Sequence, residues 1–221
     1  MAGKTITLTS HLEDWALGGS TRQGIAKTVL ALTASSIEMS ERVAKGRLGG
    51  TLSRVTARAG EFDEQKEIDV LANESIVAAL RDAPVAALAS EEAPDPILLN
   101  EKAPLLVATD PLDGSSNVDA NVSFGMIFSV LPRHPSSIGE AAFLRPGSHQ
   151  LAAGIIVYGP QTVLALTVGN GTNIFTLDRE TKTYILAQPK ISIPVETTEY
   201  AINASNARHW DEPIRIYVHD C

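Results

Sequence analysis

The stretch VATDPLDGSSNVD, Val107 to Asp119, holds three aspartates spaced by three and by six, with Gly-Ser-Ser between the second and the third. Like charges held this close repel, and a carboxylate that gives up water needs a cation or donors in return. The apolar run leading in points to a strand that delivers them to one place. A second acidic pair, Glu91-Glu92, ends the run VAALASEE. If the strands ending at Ala89 and Thr109 are neighbours, Glu91, Glu92, Asp110 and Asp113 converge at one sheet edge. Hard oxygen donors without nearby Cys or His suit Mg²⁺ or Mn²⁺ rather than zinc. Two or more such ions can clamp a phosphoryl group, stabilise the leaving oxygen and acidify a bound water. Gly114 lets the backbone approach closely, and the N–H groups and hydroxyls of Ser115 and Ser116 can cradle phosphate oxygens. Taken alone, Glu91-Glu92 reads as a solvated strand end, and only Asp110 and Asp113 reverse that balance. Asp69, between Ile68 and Val70 on an amphipathic stretch, reads by itself as a surface carboxylate. Asp63, in a polar stretch, carries less signal still.

The elements that must position these groups follow from periodicity. Ile25, Val29, Leu32, Ile37 and Met39 fall at helical spacing and predict a helix over Arg22–Val43, closed by Gly46, Gly49 and Gly50. TLSRVTARAGEFDEQ is polar and without period, and reads as a mobile loop. Ile68, Leu71, Ala72, Ile76, Ala79 and Leu80 form the apolar face of a second helix ending before Pro84. Short apolar runs then follow at short intervals: VAALASEE, LLVATD, FGMIFSVL, GIIVYG, TVLALTV, NIFTLD and TYILA. Separated by Gly, Pro and Asn, they predict a large, mostly antiparallel sheet joined largely by hairpins. YAINASN reads as a further strand, and WDEPIRIYVHDC as a new helix with Asp211 at its N-cap. The fold class is α+β: N-terminal helices, a meandering sheet, and a second α/β half only begun. Residues 1–195 make the first domain, and 196–221 the start of another.

The chain has 221 residues, 44% of them hydrophobic, enough for a sizeable core. Its net charge of −8 disfavours a duplex nucleic acid or an anionic membrane surface as partner. The one cysteine, Cys221, allows no internal disulfide and fits a reducing compartment. No apolar signal core or membrane-length stretch is present in the sequence, so the expected location is the cytoplasm. The five histidines share no ligand spacing and read as surface residues.

DPLDGSS with an upstream SEE resembles the lithium-sensitive-type sugar phosphatases, the group of inositol monophosphatases and fructose-1,6-bisphosphatases. DPLDGSSNVD, EIDVLANE and LAAGIIVYGP together are similar to fructose-1,6-bisphosphatase class 1, and the likeness runs from Ile25 to about Trp210. It implies Mg²⁺-dependent removal of the 1-phosphate from fructose 1,6-bisphosphate, as in gluconeogenesis or the Calvin cycle. Mn²⁺ is a possible substitute, and two or three ions occupy each site. By position, Glu91 and Asp110 would bridge metals, Asp113 and the Leu112 carbonyl would each serve an ion, and Asp63 would reach in from a mobile loop. Asp69 and Glu92 match the pair that orients and deprotonates the attacking water. Asp113, Gly114, Ser115 and Ser116 match the site of the departing phosphate, and Asn203 and Asn206 lie near the other. The resemblance further implies a layered α/β sandwich and a homotetramer, with members continuing well past the position of Cys221. It leaves open a sedoheptulose-1,7-bisphosphatase or bifunctional sugar bisphosphatase, an inositol phosphatase, and a catalytically silent regulatory or assembly subunit. GGSTRQG lacks the acidic residue expected for AMP control.

Overall fold

In a computed structural model that describes residues 5–49, 55–59, 63–134, 139–199, 201–202 and 204–220, the chain opens with a helix not expected from the sequence. This is α1, Leu8–Ala16, with Leu8, Leu12 and Ala16 buried along one face. Thr7 caps it reciprocally with Ser10: each side chain accepts the other's backbone N–H at 3.1 Å. One turn of this helix carries His11 partly inside, unlike the surface position expected of the histidines. Its ring lies edge-on to Phe175 at 5.4 Å, its Nε2 is buried, and desolvation lowers its pKa.

The long helix α2, Ser20–Lys45, contains the expected Arg22–Val43 stretch. Its buried stripe carries hydroxyls as well as hydrocarbon, and buried hydroxyls need partners. Ser36 Oγ meets Tyr184 Oη at 2.8 Å, Ser40 Oγ meets Thr162 Oγ1 at 2.7 Å, and Ser35 Oγ meets Ser75 Oγ at 2.8 Å. The stretch read as a mobile loop instead holds an antiparallel pair, β1 (Val55–Ala59) and β2 (Asp63–Lys66). Backbone pairing makes this hairpin, so a polar sequence without period concealed it. β2 runs directly into α3, Glu67–Leu80, whose Ile68, Ala72, Ile76 and Leu80 are buried.

Eight further strands form one sheet. They are β3 (Val85–Ser90), β4 (Ile97–Leu98), β5 (Leu105–Asp113), β6 (Phe124–Pro132), β7 (Ala152–Tyr158), β8 (Thr162–Thr167), β9 (Thr172–Asp178) and β10 (Thr183–Ile191). Their order is β10-β9-β8-β7-β6-β5-β3-β4. Neighbours are antiparallel except β3 and β5, which run parallel with Ala89 beside Ala108 and Ser90 beside Thr109. Helices α1, α2 and α3 pack on one face, over a core that includes Leu12, Leu32, Ile76, Val107, Phe128 and Phe175. Alternation along the strands sends the other residues to the opposite face. There Ile127, Ile155 and Val157 remain 40%, 48% and 41% exposed. Ile127 and Ile155, with Ala108, Ser129, Ala153 and Ala165, line a concavity of about 730 Å³.

The contacts divide the chain into two units, Met1–Ile191 and Ser192–Cys221. In the second, the strand expected at YAINASN is not found: Ala204–His209 is a 3-10 helix, while Tyr200 and Asn203 lie outside the described residues. Alternating apolar residues suggest a strand, but a strand needs a neighbour's backbone, whereas the 3-10 turns bond locally. α4, Glu212–Asp220, follows, and the Asp211 carbonyl accepts from Ile214 and Arg215 at its start.

Candidate active site

The parallel pairing of β3 and β5 brings the two acidic segments together, because both strands end on the same side of the sheet. The Glu91 N–H donates to the Thr109 carbonyl at 3.1 Å, carrying the ladder one residue past β3. Glu91 and Asp110 then meet side chain to side chain through a hydrogen bond. Burial, that hydrogen bond, and the charges of Glu91 and Asp113 push the Asp110 carboxyl from 3.8 up to about 7, against the opposing pull of the Leu112 N–H.

A bulge in β5 sets the next residues. Asp110 stands beside Ile127 and Asp113 beside Gly125, so three steps on β5 match two on β6. Pro111 sits inside the bulge, where its missing N–H costs no ladder bond. The Leu112 N–H instead donates to Asp110 Oδ1 at 3.0 Å. Leu112 itself is buried, at 3% exposure, and Asp113 is exposed. Gly114 then turns the chain with φ +80° and ψ 30°, a left-handed conformation that favours glycine. The 3-10 helix Ser115–Asn117 follows, closed by Asn117 N–H to the Gly114 carbonyl at 2.8 Å. Asn117 Nδ2 also donates to the Ser123 carbonyl at 3.1 Å and ties the loop to the start of β6.

The third contributor is α3. The turn from Arg81 to Pro84 reverses the chain, so the 14-residue helix and six-residue strand lie antiparallel with similar lengths. The first turn of α3 therefore stands beside the end of β3. Asp69 lies in that turn at 2% exposure, which removes the reading as a plain surface carboxylate. One turn on, Asn73 Oδ1 accepts the Ser90 hydroxyl at 2.8 Å, and Ser90 Oγ accepts the Glu92 N–H at 3.3 Å. Neither Asn73 nor Ser90 was singled out from the sequence. The available signals were Asn73 at i+4 from Asp69 and Ser90 directly before the acidic pair.

The site thus gathers Glu91, Glu92, Asp110, Leu112 and Asp113 at one end of β3 and β5, with Gly114, Ser115 and Ser116 following. Asp63 opens β2 opposite Ala59 and is described through its backbone only. Asn206 is exposed in the 3-10 helix of the second unit, and Asn203 lies outside the described residues. Among the described residues, no three acidic, histidine or cysteine groups stand together in metal-holding geometry. The donor chemistry still suits a hard divalent cation: the groups are carboxylates, hard oxygen donors gathered without Cys or His.

Residues 17–189 match the family described as Fructose-1-6-bisphosphatase, N-terminal domain. The chain belongs to the fructose-1,6-bisphosphatase family. It is 49% identical over 216 residues to the class 1 enzyme of Rhodopseudomonas palustris (strain HaA2), covering 97% of this chain and 62% of that protein. It is 48% identical to the class 1 enzyme of Azorhizobium caulinodans, covering 98% of this chain and 67% of that protein. The holo crystal structure of Leishmania major fructose-1,6-bisphosphatase superposes with a TM-score of 0.87 at 30% identity, over 98% of this chain and 68% of that one. The layered α/β arrangement is therefore that of the fructose-1,6-bisphosphatases. The chain spans about three fifths of the length of the curated relatives it matches.

Proposed function

We propose that this chain is the metal-bearing part of a Mg²⁺-dependent phosphatase that converts fructose 1,6-bisphosphate to fructose 6-phosphate and phosphate. The observation that carries this reading is the Glu91–Asp110 carboxyl pair at the ends of parallel strands, followed across a bulge by Asp113-Gly114-Ser115-Ser116. Glu91, Asp110, Asp113, the Leu112 carbonyl and Asp63 would hold the Mg²⁺ ions, which would supply neutralising charge at the phosphoryl oxygens and a more acidic water. Ser115 and Ser116 hold the phosphoryl group, and Gly114 leaves the backbone room to approach it. Glu92, with Asp69, orients the attacking water and takes its proton. The water oxygen bonds to phosphorus as the bond to the sugar C1 oxygen breaks, and that oxygen leaves with a proton. Asn203 and Asn206 meet the phosphate that stays. Two or three Mg²⁺ ions, a homotetramer and a cytoplasmic location belong to the same reading.

The test is phosphate release with excess Mg²⁺ from fructose 1,6-bisphosphate, sedoheptulose 1,7-bisphosphate and inositol 1-phosphate. It is run on residues 1–221 and on the same residues joined to the C-terminal third of a relative. Preferred turnover of the fructose ester supports the reading. Preference for another ester moves the substrate, and silence of the joined chain on all three removes the enzyme.

A further inference from the structure

We infer that Asn73 is a positioning residue that, acting through Ser90, fixes the turn carrying Glu91 and Glu92. A serine hydroxyl has one proton to give. Here that proton goes to Asn73 Oδ1 at 2.8 Å, so a lone pair of Ser90 Oγ is left for the Glu92 N–H at 3.3 Å. The acceptor on α3 thus sets the direction of both bonds. Ser90 is 8% exposed at the last position of β3, where its hydroxyl is held between helix and turn. From the other side, the Glu91 N–H is held by the Thr109 carbonyl of β5. The two acidic residues are therefore pinned by separate elements, Glu91 by the sheet and Glu92 by α3. Because Asp69 lies one helical turn before Asn73, the same face of α3 that carries Asp69 also holds Glu92's backbone. Their relative placement is then set by one rigid helix rather than by a loop, as a water-orienting pair requires. An asparagine does this without adding a further charge beside the carboxylates, which an aspartate at 73 would do.

The catalytic meaning of this relay rests on the proposed role of Glu92, so the experiment reads the relay and the reaction separately. Amide hydrogen exchange on residues 1–221 without metal reports the relay. Asn73→Ala and Ser90→Ala should each speed exchange of the Glu92 amide about tenfold, and Ser90→Thr, which keeps the hydroxyl, should restore protection. Amides of β6 and β7 should not change. Unchanged Glu92 exchange in Asn73→Ala overturns the inference, as does faster exchange spread evenly over the sheet, which marks a merely structural residue. Turnover of fructose 1,6-bisphosphate by the chain joined to a relative's C-terminal third reports the reaction. Both alanine variants should lower kcat about ten- to a hundredfold with KM nearly unchanged. Local loss of protection with kcat intact keeps the relay and removes Glu92 from the role of base.

Discussion

The upward push on the Asp110 carboxyl has a measurable sign. Its carboxyl rises from 3.8 to about 7, first by burial and then by the hydrogen bond with Glu91. A group raised in the folded state contributes stability that is complete below its unfolded pKa and disappears as pH climbs through the folded one. Without metal, Tm should therefore fall between about pH 4 and 7 by an amount that Asp110→Asn removes. Mg²⁺ should reverse the loss, with affinity rising over the same window as the proton is displaced. The check is Tm against pH for both forms, with and without Mg²⁺, and equal slopes would show that the Asp110 carboxyl is not raised. Glu92→Gln separates proton transfer from metal binding at the neighbouring position. It preserves size and hydrogen bonding but cannot accept a proton, so kcat should fall roughly 10²–10⁴-fold with Mg²⁺ affinity nearly unchanged. A collapse of affinity in a Mg²⁺ titration would make Glu92 a ligand. Residue type and spacing made the convergence of Glu91, Glu92, Asp110 and Asp113 legible, whereas Asp69 read as a surface carboxylate and only the fold shows it buried. The sequence could not disclose Asn73 and Ser90, whose part depends on which way one hydroxyl proton points.

Elements were legible where side-chain pattern makes them. The apolar runs from VAALAS to TYILA became β3 and β5 to β10, and the stripe after Arg22 became α2. Elements built by backbone bonding were hidden, as in the β1–β2 hairpin, and α1 shows only four apolar positions across nine residues. YAINASN failed in the opposite way, since alternation does not supply a pairing neighbour. The joint between α2 and the sheet is also chemistry that periodicity cannot show. There Ser36 Oγ shares a buried hydrogen bond with Tyr184 Oη at 2.8 Å, and burial raises the Tyr184 pKa to about 12. Ser36→Ala leaves the tyrosine hydroxyl buried without this partner and should cost about 1–3 kcal/mol. Tyr184→Phe should cost about 1 kcal/mol, because Ser36 Oγ also donates to the Thr33 carbonyl at 2.7 Å. The double variant should cost less than the sum, since an apolar pair leaves no orphan. Urea denaturation of the three variants measures this directly, and strict additivity would show that the two hydroxyls do not depend on each other.

At the scale of the molecule, the same face of the sheet carries both the acid cluster and the exposed apolar side chains. Glu91 and Asp110 lie at the rim of the concavity that Ile127, Ala153 and Ile155 line. Ile127, Ile155 and Val157 lie within strands of the sheet and are still 40–48% exposed, whereas the opposite face is covered by three helices. Contiguous apolar surface of this kind marks a site for another layer or an aggregation hazard. The relatives matched over this chain run about half as long again, since the aligned part is 62% of the first. Joining residues 1–221 to the C-terminal third of such a relative should therefore act on two observables at once. Burying the open face should raise Tm and suppress association, with each of these side chains, already more than half buried, contributing about 0.6–1.5 kcal/mol. On the proposed phosphatase reading, the joined chain should also bind Mg²⁺ more tightly and release phosphate faster than residues 1–221 alone. Light scattering, Mg²⁺ titration and phosphate release on both lengths make the comparison. Equal turnover at the two lengths would mean that the carboxylates of residues 1–221 already form a complete site, and that the exposed sheet face has no bearing on the chemistry at its rim.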